Sequence, residues 1–400
     1  MDNYEDFLGE VAANDQSNDR YNKSHDETCH IGHNELHCES GNVRYGESNE
    51  DPYNYQDSNR YNDQYNDLYN NKDNNRFDEL INNQYNNLNG NQYNEPGYEQ
   101  DRKSNKKILS RCGWYLSLII IAISAAQLII LGISGRYFRK FYESDWFDLT
   151  LAAIGMLGAG LPLAYILLKK LPDSERGEVK KLSPAELIIY FSICYAAMFY
   201  SNLVTIGINF IISVIKGSEV VNPLEDVIFG SNMLIIILYV SILGPIAEEL
   251  IFRKLLLDKL RRFGDLPAIM ITSIAFGLFH MNLSQVLYAT AVGTVMAYVT
   301  VKTNTIKYSV IIHMILNFIG SGLSGLAINS GNPAVIGLLS LIMYVIVTAG
   351  TVFFIVNFRK IRLNKAAMPL VRKRDYILNA GTIVFIVICM IIIVENILVQ

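Results

Sequence analysis

Nine apolar stretches, at about 113–134, 148–168, 186–215, 233–257, 266–283, 285–301, 308–327, 336–357 and 377–396, fill most of the chain beyond residue 106. Each has roughly the 17–25 residues that carry an α-helix across the hydrocarbon core of a bilayer, the third and fourth being longer and the sixth marginal. Inside lipid only helices and closed barrels satisfy every backbone N–H and C=O. These runs do not alternate apolar with polar residues, so helices follow. The expected architecture is an all-α, polytopic membrane protein of about eight to nine transmembrane helices, and a single soluble globular domain is excluded.

The first 106 residues are of another kind. They hold 22 acidic against 9 basic side chains, a net of −13, whereas residues 107–400 carry 16 against 25, a net of +9. The overall charge of −4 is therefore a cancellation and describes neither part. Residues 1–106 also carry 23 Asn and 11 Tyr, with Tyr-Asn pairs at 53–54, 61–62, 65–66, 69–70, 85–86 and 93–94. Such a segment buries too little apolar surface to offset the entropy of ordering it, so a disordered, acidic, Asn/Tyr-rich tail is expected over 1–106 and a multi-pass membrane domain over 107–400. The opening MDNYEDFLGE lacks an apolar core, and no cleavable signal peptide is expected. Five cysteines, Cys29, Cys38, Cys112, Cys194 and Cys389, make no disulfide framework. Within the tail, Cys29, His30, His33, His37 and Cys38, with His25 upstream, are metal-capable, but their spacing matches no standard zinc module.

Lys and Arg in the connections orient the spans. With the tail inside, the segments 102–112, 169–184, 254–265, 302–307 and 358–375 carry 23 basic residues, and the opposite segments 135–147, 216–232, 281–284, 328–335 and 397–400 carry 4. The N-terminus is accordingly expected in the cytoplasm and the C-terminus outside the cell membrane.

Ionisable groups inside a span are costly to keep and mark function. Glu248, Glu249 and Arg253 lie in Pro245-Ile246-Ala247-Glu248-Glu249-Leu250-Ile251-Phe252-Arg253; His280 ends Phe276-Gly277-Leu278-Phe279-His280; His313 and Asn317 bound His313-Met314-Ile315-Leu316-Asn317. His280 and His313 are the two histidines of residues 107–400. Glu249 and Arg253 are i and i+4, so an ion pair can hold one carboxylate ionised. Glu248 points about 100° away, towards another partner. His313 and Asn317 share a face. Glu, His, His and Asn around one water would form a hydrolytic site; the plain alternative is polar glue between helices.

Glu-Glu-x-x-x-Arg, then Phe-x-x-x-His, then His-x-x-x-Asn on successive apolar helices resembles the CAAX-protease and bacteriocin-processing family of intramembrane proteases. That family includes the type II CAAX endopeptidase of prenylated proteins. The motifs occur in family order over 248–317, in a frame of about 185–330. The resemblance implies that Glu248 and His280 activate the attacking water, that Glu249 and Arg253 support the site, and that His313 and Asn317 bind the oxyanion. It implies a membrane-associated or lipidated peptide or protein as substrate, cleaved near the cytoplasmic half of the bilayer, with the lipid bilayer as the other partner and no nucleic acid. A metallo-dependent and a metal-free glutamate mechanism both accord with it. Zinc would take Glu248, His280 and His313 as ligands, but Asn317 is a poor zinc ligand and a good oxyanion donor, which leans against a tightly bound catalytic zinc.

Competing signatures are weaker. No His-Glu-x-x-His occurs. Gly322-Leu323-Ser324-Gly325 fits a rhomboid-type Gly-x-Ser-Gly, but no histidine follows His313 to act as its base, so these small residues read as a helix-packing surface. A non-catalytic protein of the same fold, active in peptide-toxin immunity or sequestration, is the alternative; a transporter would need paired halves, and no internal duplication is visible. One tension remains. By helical rise Glu248 and His280 lie roughly 20 Å above the cytoplasmic face and His313 about 10 Å, so a shared site needs tilt or a break, with Gly277 and Pro267 as candidates.

Overall fold

The computed structural model describes residues 29–32, 35–38, 98–174, 177–220, 222, 232–366 and 370–399. Two short strands fall in the acidic segment, β1 (Cys29–Gly32) and β2 (Glu35–Cys38). They pair antiparallel, with Cys29 opposite Cys38 and His30 opposite His37. His25 and His33 of the metal-capable patch lie outside the described residues, as does most of that tail.

Everything else described is helical or connects helices. The helices are α1 (Tyr98–Tyr137), α2 (Phe147–Leu168), α3 (Pro184–Lys216), α4 (Met233–Phe263), α5 (Asp265–Phe279), α6 (Leu283–Thr303), α7 (Lys307–Asn329), α8 (Pro333–Lys360) and α9 (Ala380–Val399). All but α5 are long and apolar enough to cross a membrane. The fifth apolar run becomes a helix of 15 residues, about 22 Å long and short of the ~30 Å hydrocarbon core. It stops because His280 caps it, Met281 turns into the left-handed region at φ 52°, and Asn282 caps α6 through its side chain on Ser284 N–H.

Local signals explain the other ends. Ser183 and Glu186 form a capping box with Pro184 at the first turn of α3, and Gly217 closes that helix at φ 79°. Asn332, whose side chain accepts from the Ala334 N–H, starts α8 with Pro333 in its first turn. α1 begins inside the stretch expected as tail: Glu99 and Asp101 occupy its first turn, where negative charge suits the helix dipole.

Helices α5 and α6 pack as a hairpin, α3 lies between α6 and α8, and α1 packs on α2 and α9. Close approach demands glycine at the contacts. A Cβ on Gly277 would strike the Thr290 hydroxyl and the Val286 carbonyl, and one on Gly381 would strike the Ser110 carbonyl. Gly277 is thus a contact point of the hairpin and not the bend; Pro267 lies harmlessly in the first turn of α5.

At the basic end, Asp375 ties the last connection to α1. Its buried carboxylate accepts from Arg102 Nε and Nη2 at 2.7 and 3.1 Å and from the Arg372 N–H at 3.2 Å, with Lys106 Nζ at 3.3 Å. The hydrogen-bonded Arg102 guanidinium draws its pKa down to about 2. A carboxylate depressed in the folded state adds stability above its unfolded pKa, and that stability drains as pH falls from about 4 towards 2. Asp375→Asn should therefore lose about 2 kcal/mol of unfolding free energy at pH 7 in detergent and almost none near pH 2. Equal losses at both pH values would refute this account.

Candidate active site

Helix α4 is not a regular α-helix. Residues Ile236–Leu243 and Leu250–Leu257 wind as π-helix on either side of the α-helical Gly244–Glu249. Pro245 supplies a cause, since its ring cannot donate and crowds the preceding turn. Gly244 donates its N–H to Tyr239, five residues back. Val240 would look to Pro245 for a donor in that pattern, and there is none. Its carbonyl is met by Asn317 Nδ2 of α7, at 2.9 Å. Asn317 is thus held across the interface by a backbone group that the irregular helix frees.

The wide turns bring Glu248, Glu249 and Arg253 against α5, α6 and α7. Glu249 and Arg253 are fully buried, with Arg253 Nη1 3.2 Å from Glu249 Oε1. The guanidinium lies over the Phe276 ring at 4.2 Å from its centroid, and Gly293 of α6 leaves the space it needs. A charge so desolvated requires its partner, because an unpaired buried ion costs several kcal/mol. The same Glu249 oxygen accepts from His313 Nδ1 at 3.1 Å. A carboxylate can only accept, so Nδ1 carries the proton and Nε2 turns to the opposite side. There it stands 3.6 Å from Glu248 Oε2. Arg253, Glu249, His313 and Glu248 form one chain from the core outwards.

His280 is set at the end of α5, its Nδ1–H donating to the Phe276 carbonyl at 2.8 Å, which leaves Nε2 as the free nitrogen. Phe276 meets His280 and His313 edge-on, at centroid distances of 4.8 and 5.8 Å. One aromatic ring therefore packs against Arg253 and both histidines. Glu248, His280, His313 and Asn317 line a single cavity of about 640 Å³. Glu249 and Arg253 lie behind its wall.

The depth conflict is resolved without a kink in α5. The turn joining α6 to α7 is recessed: Thr303 is buried, its carbonyl accepts from Lys180 N–H at 2.9 Å, and Asn304 donates to the Glu178 carbonyl at 2.8 Å. The connection between α2 and α3 thus covers the start of α7, and His313 reaches the level of Glu248.

Two residues absent from the sequence argument matter here. Asn396 of α9 donates to the Met281 carbonyl at 3.0 Å, bracing the turn that presents His280. Its signal was a polar residue near the end of an apolar run. Gly293 had no signal in a single sequence. The zinc ligand set proposed from sequence shares the cavity, yet among the described residues no group of three or more His, Cys, Asp or Glu side chains is gathered to hold an ion. The donor set does not fit a tightly held metal.

The fold is that of a multi-pass helical membrane protein with Glu248, His280, His313 and Asn317 around one cavity. Residues 230–319 match the family model described as type II CAAX prenyl endopeptidase, Rce1-like. All six candidate residues fall within that match. The chain is similar to the putative membrane peptidase YdiL of Bacillus subtilis, 34% identical over 103 residues, which are 26% of this chain and 41% of the relative. It is also similar to the membrane-embedded CAAX protease MroQ of Staphylococcus aureus, 28% identical over 221 residues, 51% of this chain and 86% of the relative. The match thus spans less than half of the first relative and most of the second. No solved structure matches.

Arg253→Leu should cost about 3 kcal/mol of unfolding stability, since it strands the fully buried Glu249 without its cation. Arg253→Lys should lose less, keeping the charge but not the planar fork over Phe276. Equal stability of the Leu variant and the parent in detergent melts would contradict the buried pair. Asn396→Leu leaves the Met281 carbonyl unpaired, a loss of about 1–3 kcal/mol confined to that turn. Hydrogen exchange at 281–284 should accelerate while α7 stays protected; unchanged exchange would remove Asn396 from the site.

Proposed function

We propose that this chain is an intramembrane endopeptidase that hydrolyses a peptide bond in a membrane-associated or lipidated, CAAX-type, peptide or protein. The observation that carries this reading is the convergence of Glu248, His280, His313 and Asn317 on one cavity within the helices. Glu248 Oε2 and His313 Nε2, 3.6 Å apart, can both touch one small oxygen species.

In the proposed reaction Glu248, helped by His280 Nε2, takes a proton from water, and the water oxygen bonds to the substrate carbonyl carbon. The oxyanion that forms accepts from the second N–H of Asn317, whose first is committed to Val240, and lies beside His313, which donates to it from Nε2 only as the imidazolium because its Nδ1–H is held by Glu249. The carbon–nitrogen bond then breaks as the proton passes from Glu248 to the leaving amine. Glu249 orients the His313 ring through Nδ1, and Arg253 keeps Glu249 charged. With the basic ends inside, the N-terminus would be cytoplasmic and the C-terminus outside.

Glu248→Ala should reduce turnover of any accepted peptide by at least about 10²-fold, the range that a general base contributes. Detergent melts should show the variant folded, since Glu248 is only partly buried. Turnover equal to wild type would sink the protease reading. Sequestration of a peptide that survives Glu248→Ala together with His280→Ala would instead favour the binding alternative.

A further inference from the structure

The cavity is placed asymmetrically along the helices. Glu248 lies fifteen residues from the basic end of α4 at Phe263, and His280 fifteen from the basic end of α5 at Asp265, about 22 Å in each case. Other lining residues lie farther still: Asp148 in the first turn of α2, Asn282 at the cap of α6, and Asn396 in the last turn of α9. All belong to the end of the bundle remote from the basic connections. Towards the basic end the path is blocked. Phe252, Leu256, Leu257 and Leu260 are fully buried beneath the site, and the recessed turn at Thr303 is covered by the 177–182 segment.

Charge inside the cavity is also one-sided. Among the described residues that line it there is no Lys or Arg, while Asp148 and Glu248 supply carboxylates. A free terminal carboxylate would find neither an ammonium nor a guanidinium there. A cationic side chain would find Asp148, which is exposed at the rim.

We infer that the site takes a cationic peptide segment from the face opposite the basic connections, the extracytoplasmic face if the positive charges lie inside. This rests on the cavity being the hydrolytic site; among the substrates of that reading it selects a membrane-associated cationic peptide over a CAAX-type carboxyl terminus, and it moves the substrate away from the cytoplasmic half that the sequence suggested.

Cysteine labelling tests it without asking for turnover. Gln127→Cys lines the cavity, and Lys170→Cys marks the basic end, each in the full-length chain. A membrane-impermeant maleimide applied to intact cells should label Gln127→Cys and not Lys170→Cys, with labelled peptides identified by mass spectrometry against the unsubstituted chain. The reverse pattern, or no labelling of Gln127→Cys even after permeabilisation, overturns the proposal. A short lysine-containing peptide should slow labelling of Gln127→Cys about threefold more than its glutamate counterpart, the scale of an exposed ion pair. Adding Asp148→Asn should erase that difference; equal slowing by both peptides with Asp148 present refutes the charge preference. Loss of cleavage in Glu248→Ala bears on the protease reading alone, so the two can fail separately.

Discussion

A guanidinium removed entirely from water survives only beside a carboxylate, and the Arg253–Glu249 pair sets conditions that much of this bundle meets. Arg253 needs a flat neighbour, which Phe276 provides, and clearance on α6, which Gly293 provides. Glu249 has a second oxygen-side partner in His313. The ion pair therefore positions three helices against α4, and the orientation of one histidine ring follows from it. A buried pair is weak as a source of stability compared with apolar packing of the same volume. Its retention here is better understood as the fixing of His313 relative to Glu248.

The same logic extends to backbone groups. Proline inside a transmembrane helix leaves a carbonyl without its donor, and lipid offers no water in compensation. Asn317 answers the Val240 carbonyl, so the residue expected to hold an oxyanion is half engaged in repairing α4. The irregular winding that creates this need also turns Glu248 to the cavity and Glu249 to the core. Distortion of α4 and placement of the polar site have a common origin in Gly244-Pro245.

Much of this was legible in the sequence because hydropathy and spacing are local. Runs of apolar residues gave the helices, and i, i+4 spacing gave the Glu249–Arg253 pair. The stop of α5 at His280 was not legible, because Met281 in a left-handed conformation has no sequence mark; the apolar run continued past it. The contact of Glu249 with His313 joins residues 64 apart in sequence and needs the tertiary arrangement. The recessed turn at Thr303 likewise depends on the 177–182 segment, whose polar composition suggested only a surface loop. Phe276 was visible as part of a motif, but its role as the ring shared by Arg253, His280 and His313 appears only in three dimensions.

A helix that ends inside a bilayer-spanning bundle must hand its last carbonyls to other donors. In α5, His280 N–H turns back to Gly277, Met281 N–H to Leu278, and the His280 ring to the Phe276 carbonyl. Just beyond the helix end, the carbonyl of Met281 accepts from Asn396. The side chains that satisfy this truncated end are those that bring an imidazole, with one nitrogen free, to the cavity wall. A full-length α5 would need none of them, and His280 would then sit on a helix flank with its ring unconstrained. Ending the helix early supplies both the space of the cavity and the polar groups that surround it, so the break in α5 and the chemistry proposed for the site depend on each other.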